Sequence, residues 1–99
     1  MVDRVVAKLM ASGYEEKTAQ SLGARLTASI VIHEQLLQWV ENNEEVDCRY
    51  EEFTAFTLMR ERGFTYPNAL NTIAWLHNAP EVARKALASG VDRISKGAR

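Results

Sequence analysis

Ninety-nine residues, 46% hydrophobic and 25% charged with a net charge of −1, describe one ordinary globular domain over 1–99, with a radius of gyration near ~13 Å and no room for a second domain. No run approaches the ~18 consecutive apolar residues of a membrane span and no secretory signal opens the chain, so a soluble, cytoplasmic protein is expected. Cys48 is the single cysteine; it can form no internal disulfide, and packing alone must supply a stability of ~5–15 kcal/mol.

Val2, Val5, Val6, Leu9 and Met10 follow the helical template, which predicts a first helix over about 2–12 ended by Gly13 in a left-handed conformation. Tyr14 then folds back on the last turn, and Glu15 and Glu16 sit where the positive end of the next helix dipole favours them. The stretch from Thr18 to Asn43 reads as the central helix, a long second one over 15–43. Leu22, Leu26, Ile30, His33, Leu36, Leu37 and Val40 share one broad face, with Ala28, Ile32 and Trp39 just beyond its edge. Gly23 is either a break in this helix, since mid-helix glycine costs about 1 kcal/mol, or a point of close helix approach. Asn42–Asn43 reads as a stop, and 42–47 as a loop.

Asp47 is a candidate N-cap for a third helix ending at Gly63, with Tyr50, Phe53, Phe56 and Met59 on its core side and Leu58 pointing elsewhere. Thr65-Tyr66-Pro67 starts a fourth helix at about 66, because threonine caps and proline is tolerated in a first turn. Tyr66, Leu70, Ile73, Ala74 and His77 form its stripe, and Pro80 ends it at Asn78–Ala79. Pro80 and Glu81 open a fifth helix that carries Val82, Ala83, Ala86 and Leu87 and stops at Gly90. Val91 and Ile94 are left to dock, and 94–99 reads as a basic, frayed tail. No stretch alternates as a half-buried strand does. The expected fold is therefore all-α, a compact bundle of about five helices around a long second helix.

Little in the chain points to chemistry. His33, His77 and Cys48 are the three strongest candidate metal ligands and are too scattered for a structural zinc site, so neither metal nor cofactor is expected. There is no nucleophile–base pairing, glycine-rich phosphate loop or helical HExxH motif, and no enzyme is expected. Charge is unevenly placed. Residues 34–52 carry seven acids against Arg49 alone, a balance of −6, whereas 53–99 carry seven bases and three acids. Such opposed blocks can steer a partner or a second copy. Trp39 lies at the edge of its stripe and Trp75 well off its own; with Leu58 and Leu76 they are the candidate partner-binding residues.

The expected function is thus a small, non-catalytic protein–protein interaction or regulatory module that self-associates or binds one protein partner. An alternative is a nucleic-acid-binding regulator with a helix-turn-helix-like element around 63–67, using Arg60, Arg62, Asn68, Asn71, Arg84 and Lys85, with Arg93, Lys96 and Arg99 behind them. The acid block and the pI of about 6.1 weigh against it. Residues 79–99, APEVARKALASGVDRISKGAR, faintly resemble the segment that follows the helix-turn-helix of ParB-type partition proteins, where a Pro-Glu-Val helix leads to a glycine and an Ile-Ser-x-Gly-x-Ala/Arg pattern. That covers about a fifth of the chain, and with no recognisable upstream signature it transfers no residues. The corner from Met10 to Tyr14 is likewise similar to that of ubiquitin-binding UBA domains, whose three-helix layout the long second helix does not match. A third possibility is a small-molecule site near His33 and His77.

Overall fold

The computed structural model describes residues 1–90. Val91, Ile94 and the basic tail, with Arg93, Lys96 and Arg99, lie outside the described residues. Among the described residues there are six helices and one two-stranded hairpin: α1 (Val2–Ala11), α2 (Glu16–Ala28), α3 (His33–Asn42), β1 (Arg49–Tyr50), β2 (Phe53–Thr54), α4 (Ala55–Arg62), α5 (Tyr66–Asn78) and α6 (Pro80–Ala88). The fold is all-α, with a Cα radius of gyration of 12.4 Å.

Local signals set most of the boundaries. After α1 the chain turns at Gly13, whose φ of +106° suits glycine, and the Tyr14 amide donates back to the Leu9 carbonyl at 3.1 Å. That puts the tyrosine ring inside the core. Gly23 stays within α2, where a Cβ would come within 2.9 Å of Val6 Cγ2, so it marks close approach to α1 and not a break. Thr65 accepts from the Asn68 amide and caps α5, with Pro67 in its first turn. Pro80 separates α5 from α6.

The long second helix is two helices. It breaks at Ser29–Ile32, six residues past Gly23, where Ser29 is extended (φ −94°, ψ 122°). Two local preferences combine there. The Thr27 hydroxyl bonds back to the Gly23 carbonyl at 2.9 Å, and Ser29 leads into Ile30-Val31-Ile32, a β-branched run whose restricted side chains disfavour helix. The apolar stripe is redistributed as a result. Leu22, Leu26 and Leu36 are fully buried, joined by Ile32 and Trp39, while Ile30 is 90% exposed and His33 faces water.

The third helix also starts later than its sequence suggests. Residues 49–54 form a hairpin with Arg49 opposite Thr54 and Tyr50 opposite Phe53. Thr54, not Asp47, caps α4, in a reciprocal box with Thr57. Asp47 works outside the helix: its Oδ1 accepts from the Cys48 amide at 3.0 Å and the Phe56 amide at 2.9 Å, tying the hairpin's two ends together. The later start rotates the apolar face, burying Leu58 and leaving Phe56 40% exposed.

The best-covered helix is α5, not the second. Tyr66, Pro67, Asn68, Ala69, Leu70, Thr72, Ile73 and Leu76 are buried along it, and it packs against α2, α4, α6 and both strands. With each fully buried Leu or Ile side chain contributing ~1.5–3 kcal/mol, Leu70, Ile73 and Leu76 anchor the core from α5. No described helix is long and apolar enough to cross a membrane.

Candidate functional site

Helix α5 buries one stripe and leaves another open. Asn71, Ala74, Trp75 and Asn78 follow at spacings of three and four, so they share the face away from the Leu70/Ile73 side. Opposite them stand Arg25 and Ala28 from the end of α2 and Ser29, Ile30 and Val31 from the link to α3. With His77, these residues line an open groove of about 650 Å³, within the ~300–1,000 Å³ range of ligand-sized pockets.

The floor and one wall are apolar: Ala28, Ala74, the half-buried Trp75, and Ile30 and Val31, which remain exposed. The groove's end is fixed by His77, whose Nε2 lies 3.1 Å from the Arg49 carbonyl and whose ring meets Tyr50 edge-on at 4.8 Å. Its charged member is Arg25, whose guanidinium donates to Ser21 Oγ at 3.1 Å and makes no ion pair among the described residues. Among the described residues no carboxylate lines the groove. The side chains can therefore enclose an apolar group, donate hydrogen bonds and pair with an anion.

The hairpin beside this end is held by Arg84 of α6. Its guanidinium donates to Glu51 at 2.6 Å and to both oxygens of Glu52 at 2.8 and 3.0 Å, and lies over the Phe53 ring at 5.3 Å. The hydrogen bonds from Arg84 hold the Glu52 carboxyl below the usual carboxylate range, and Glu52 in turn raises Arg84. Under the hairpin, burial and then the neighbouring Asp47 carboxylate push the Cys48 thiol up to about 12. Tyr66 Oη donates to the Val46 carbonyl at 2.7 Å and accepts from the Val46 amide at 3.0 Å; its phenol is also pushed up to about 12, chiefly by burial. Tyr66 thus holds the loop onto α5, and both groups stay protonated at neutral pH. Among the described residues no cluster of three His, Cys, Asp or Glu side chains could hold a metal ion.

Of the four residues expected to bind a partner, the structure brings Trp75 to the groove and places Trp39, Leu58 and Leu76 in the core. Trp39 packs against Tyr66 with ring centroids 6.0 Å apart. The residues of the nucleic-acid alternative are scattered. Asn68 is buried, its Nδ2 donating to Tyr14 Oη at 3.1 Å; Arg62 donates to the Leu87 carbonyl at 3.2 Å; and Arg84 is committed to the hairpin. Arg60, 3.9 Å from Glu61, and Lys85 are exposed, and Asn71 belongs to the groove wall. His77 lines the groove but His33 does not. Sequence reasoning missed Arg25, Ile30, Val31 and Asn78. The signal that could have found three of them is the Ser-Ile-Val-Ile run: read as a break, it exposes Ile30 and Val31 beside the end of a helix carrying Arg25. Compared with protein-family models, curated proteins and solved structures, the chain matches none.

Proposed function

We propose that the chain is a small, non-catalytic interaction module of the cytoplasm, a regulator or adaptor that docks a segment of a protein partner in the groove between the α2–α3 link and α5. The observation that carries this reading is that Trp75, Ile30 and Val31 line one groove, a half-covered tryptophan and an exposed isoleucine on its two walls. Apolar exposure of this kind, concentrated around a tryptophan, is the usual composition of an interface anchor. Ten of the described residues line the groove, against roughly 20–30 a side in a standard interface between folded bodies. That difference favours a short segment over a whole second copy of the chain.

The test is a selection of displayed peptides on the immobilised protein, run in parallel on Trp75→Ala and Ile30→Ser. Ile30 lies at the surface and Trp75 is half-buried against the core, so the folding of both variants is checked by circular dichroism. The reading expects sequences enriched on the parent protein and lost on both variants. Enrichment that survives both substitutions refutes it.

A further inference from the structure

The groove's lining also says which segment it would take. This inference rests on the docking reading above and deepens it. Two features of the lining constrain the occupant independently. The apolar members, Ala28, Ile30, Val31, Ala74 and Trp75, call for at least one large apolar side chain seated against the indole. The polar members among the described residues are the Arg25 guanidinium, the Asn71 and Asn78 amides, the Ser29 hydroxyl and the His77 ring, whose Nε2 faces the Arg49 carbonyl, with no carboxylate among them. Arg25 is exposed and without an acid partner among the described residues. This is unlike Arg4, paired with Glu41, or Arg84, paired with Glu51 and Glu52.

One field opposes an acidic occupant. The groove adjoins the C-terminal ends of α2 and α5, which end at Ala28 and Asn78, and each helix end carries roughly half a negative charge. Arg25 sits in the last turn of α2 and offsets that end. The α5 end is a diffuse, solvent-screened dipole, whereas a carboxylate on the guanidinium makes charge-assisted hydrogen bonds at contact distance, the stronger of the two effects. A basic segment would be repelled by Arg25 at contact distance and drawn only by the diffuse carbonyl end of α5, with no carboxylate among the described lining residues to pair with.

We infer that the groove binds a short peptide segment of acidic and apolar character, an apolar side chain packed on Trp75 between Ile30 and Val31 and a carboxylate paired with Arg25. Specificity resides in the pairing and most of the affinity in the apolar contact.

Three soluble peptide pools sharing the same apolar residues, with flanking positions filled by Asp/Glu, Ser or Lys/Arg, test it. Each is titrated into the isotopically labelled protein and followed by amide chemical shifts. The acidic pool is expected to bind up to about fivefold more tightly than the serine pool, weaken with added salt, and shift the amides of Ala28–Val31 and Asn71–Asn78. Arg25→Glu should invert the order of the acidic and basic pools, and Arg25→Gln, the gentler variant, should level them. Equal binding of all pools within the groove, or an order indifferent to Arg25, overturns the charge assignment and leaves the docking reading standing. Binding by none of the pools, or shifts confined to another face, overturns both.

Discussion

Gly23→Ala separates two opposed effects at one position. In an isolated helix the substitution gains about 1 kcal/mol. In this protein the new Cβ would lie 2.9 Å from Val6 Cγ2 and 3.7 Å from Val5 Cγ1, where carbon atoms prefer ~3.5–4.0 Å, so α1 must retreat or Val6 must turn. Valine has one strongly favoured rotamer in a helix and cannot easily swing its methyl aside, and overpacking of this kind costs ~1–3 kcal/mol. Because Val6 is only half-buried, the strain relaxes in part. The expected net effect is a destabilisation of about 1 kcal/mol. Removing the obstacle reverses the sign: in a Val6→Ala background the same substitution should stabilise by up to about 1 kcal/mol, a coupling of ~1–2 kcal/mol between the two sites. Urea unfolding of the parent, both single variants and the double variant, followed by helical circular dichroism, measures every corner of this cycle. If Gly23→Ala stabilises the parent as much as it stabilises Val6→Ala, α1 and α2 are not in contact at this glycine and the packing described for them is wrong.

Other outcomes follow from particular groups. Cys48 and Tyr66 both titrate at about 12 in the fold, above their ordinary 9.0 and 10.0, so each gives up its proton more readily in the unfolded chain. Their stabilisation is therefore complete below about pH 9 and is lost as pH climbs toward 12; urea midpoints taken across this range should fall, and Tyr66→Phe should flatten part of the decline. Thr54→Ala and Thr65→Ala each remove a helix cap and should cost ~1–2 kcal/mol by the same unfolding assay. Arg84→Ala breaks exposed ion pairs and removes the guanidinium from over Phe53, so its effect on the midpoint should be modest, and the part owed to the ion pairs should fade at high salt. Trp75→Phe should leave the blue-shifted, quencher-resistant emission of buried Trp39, whereas Trp39→Phe leaves fluorescence that acrylamide or iodide reaches.

Where the fold was legible, a backbone constraint lay within one or two residues of the boundary. Gly13, Thr65-Tyr66-Pro67, Ala79-Pro80 and Gly63 act through sterics or a single hydrogen bond, and the helix ends they predict are the ends observed. Periodicity alone was less reliable. Residues 22–40 hold a helical spacing of apolar side chains on both sides of a break, and the spacing is blind to Ser29–Ile32 because leucines before and after it serve the same core. Residues 47–54 show the converse. Asp47 reads as the helix N-cap, a role the structure gives to Thr54; its carboxylate instead takes two amides on either side of a hairpin, a contact across nine positions that no local window contains. The site followed the same division. Spacing puts Asn68, Asn71 and Trp75 on the outer side of their helix; the structure keeps Asn71 and Trp75 together in the groove and buries Asn68, while the opposite wall depends on a link that reads as helix.

The misread link and the groove are one feature. Had residues 15–43 formed an unbroken rod, Ile30 would have belonged to its buried stripe, and no wall would face Trp75. Three successive β-branched residues after a serine are a poor choice for a helix and an unnecessary one for a turn, where polar residues would serve at lower exposure of apolar surface. Ile32 has a structural use, since it is fully buried; Ile30, at 90% exposure, has none within the described fold. A position that contradicts the local pattern, gives the core nothing and lies beside a half-covered tryptophan is where a sequence departs from what its own fold requires. Ile30→Ser should therefore be neutral or mildly favourable for stability and solubility while abolishing peptide binding. A substantial loss of stability in that variant would instead assign Ile30 to packing, and the groove would lose the residue that most distinguishes it from an ordinary cleft between helices.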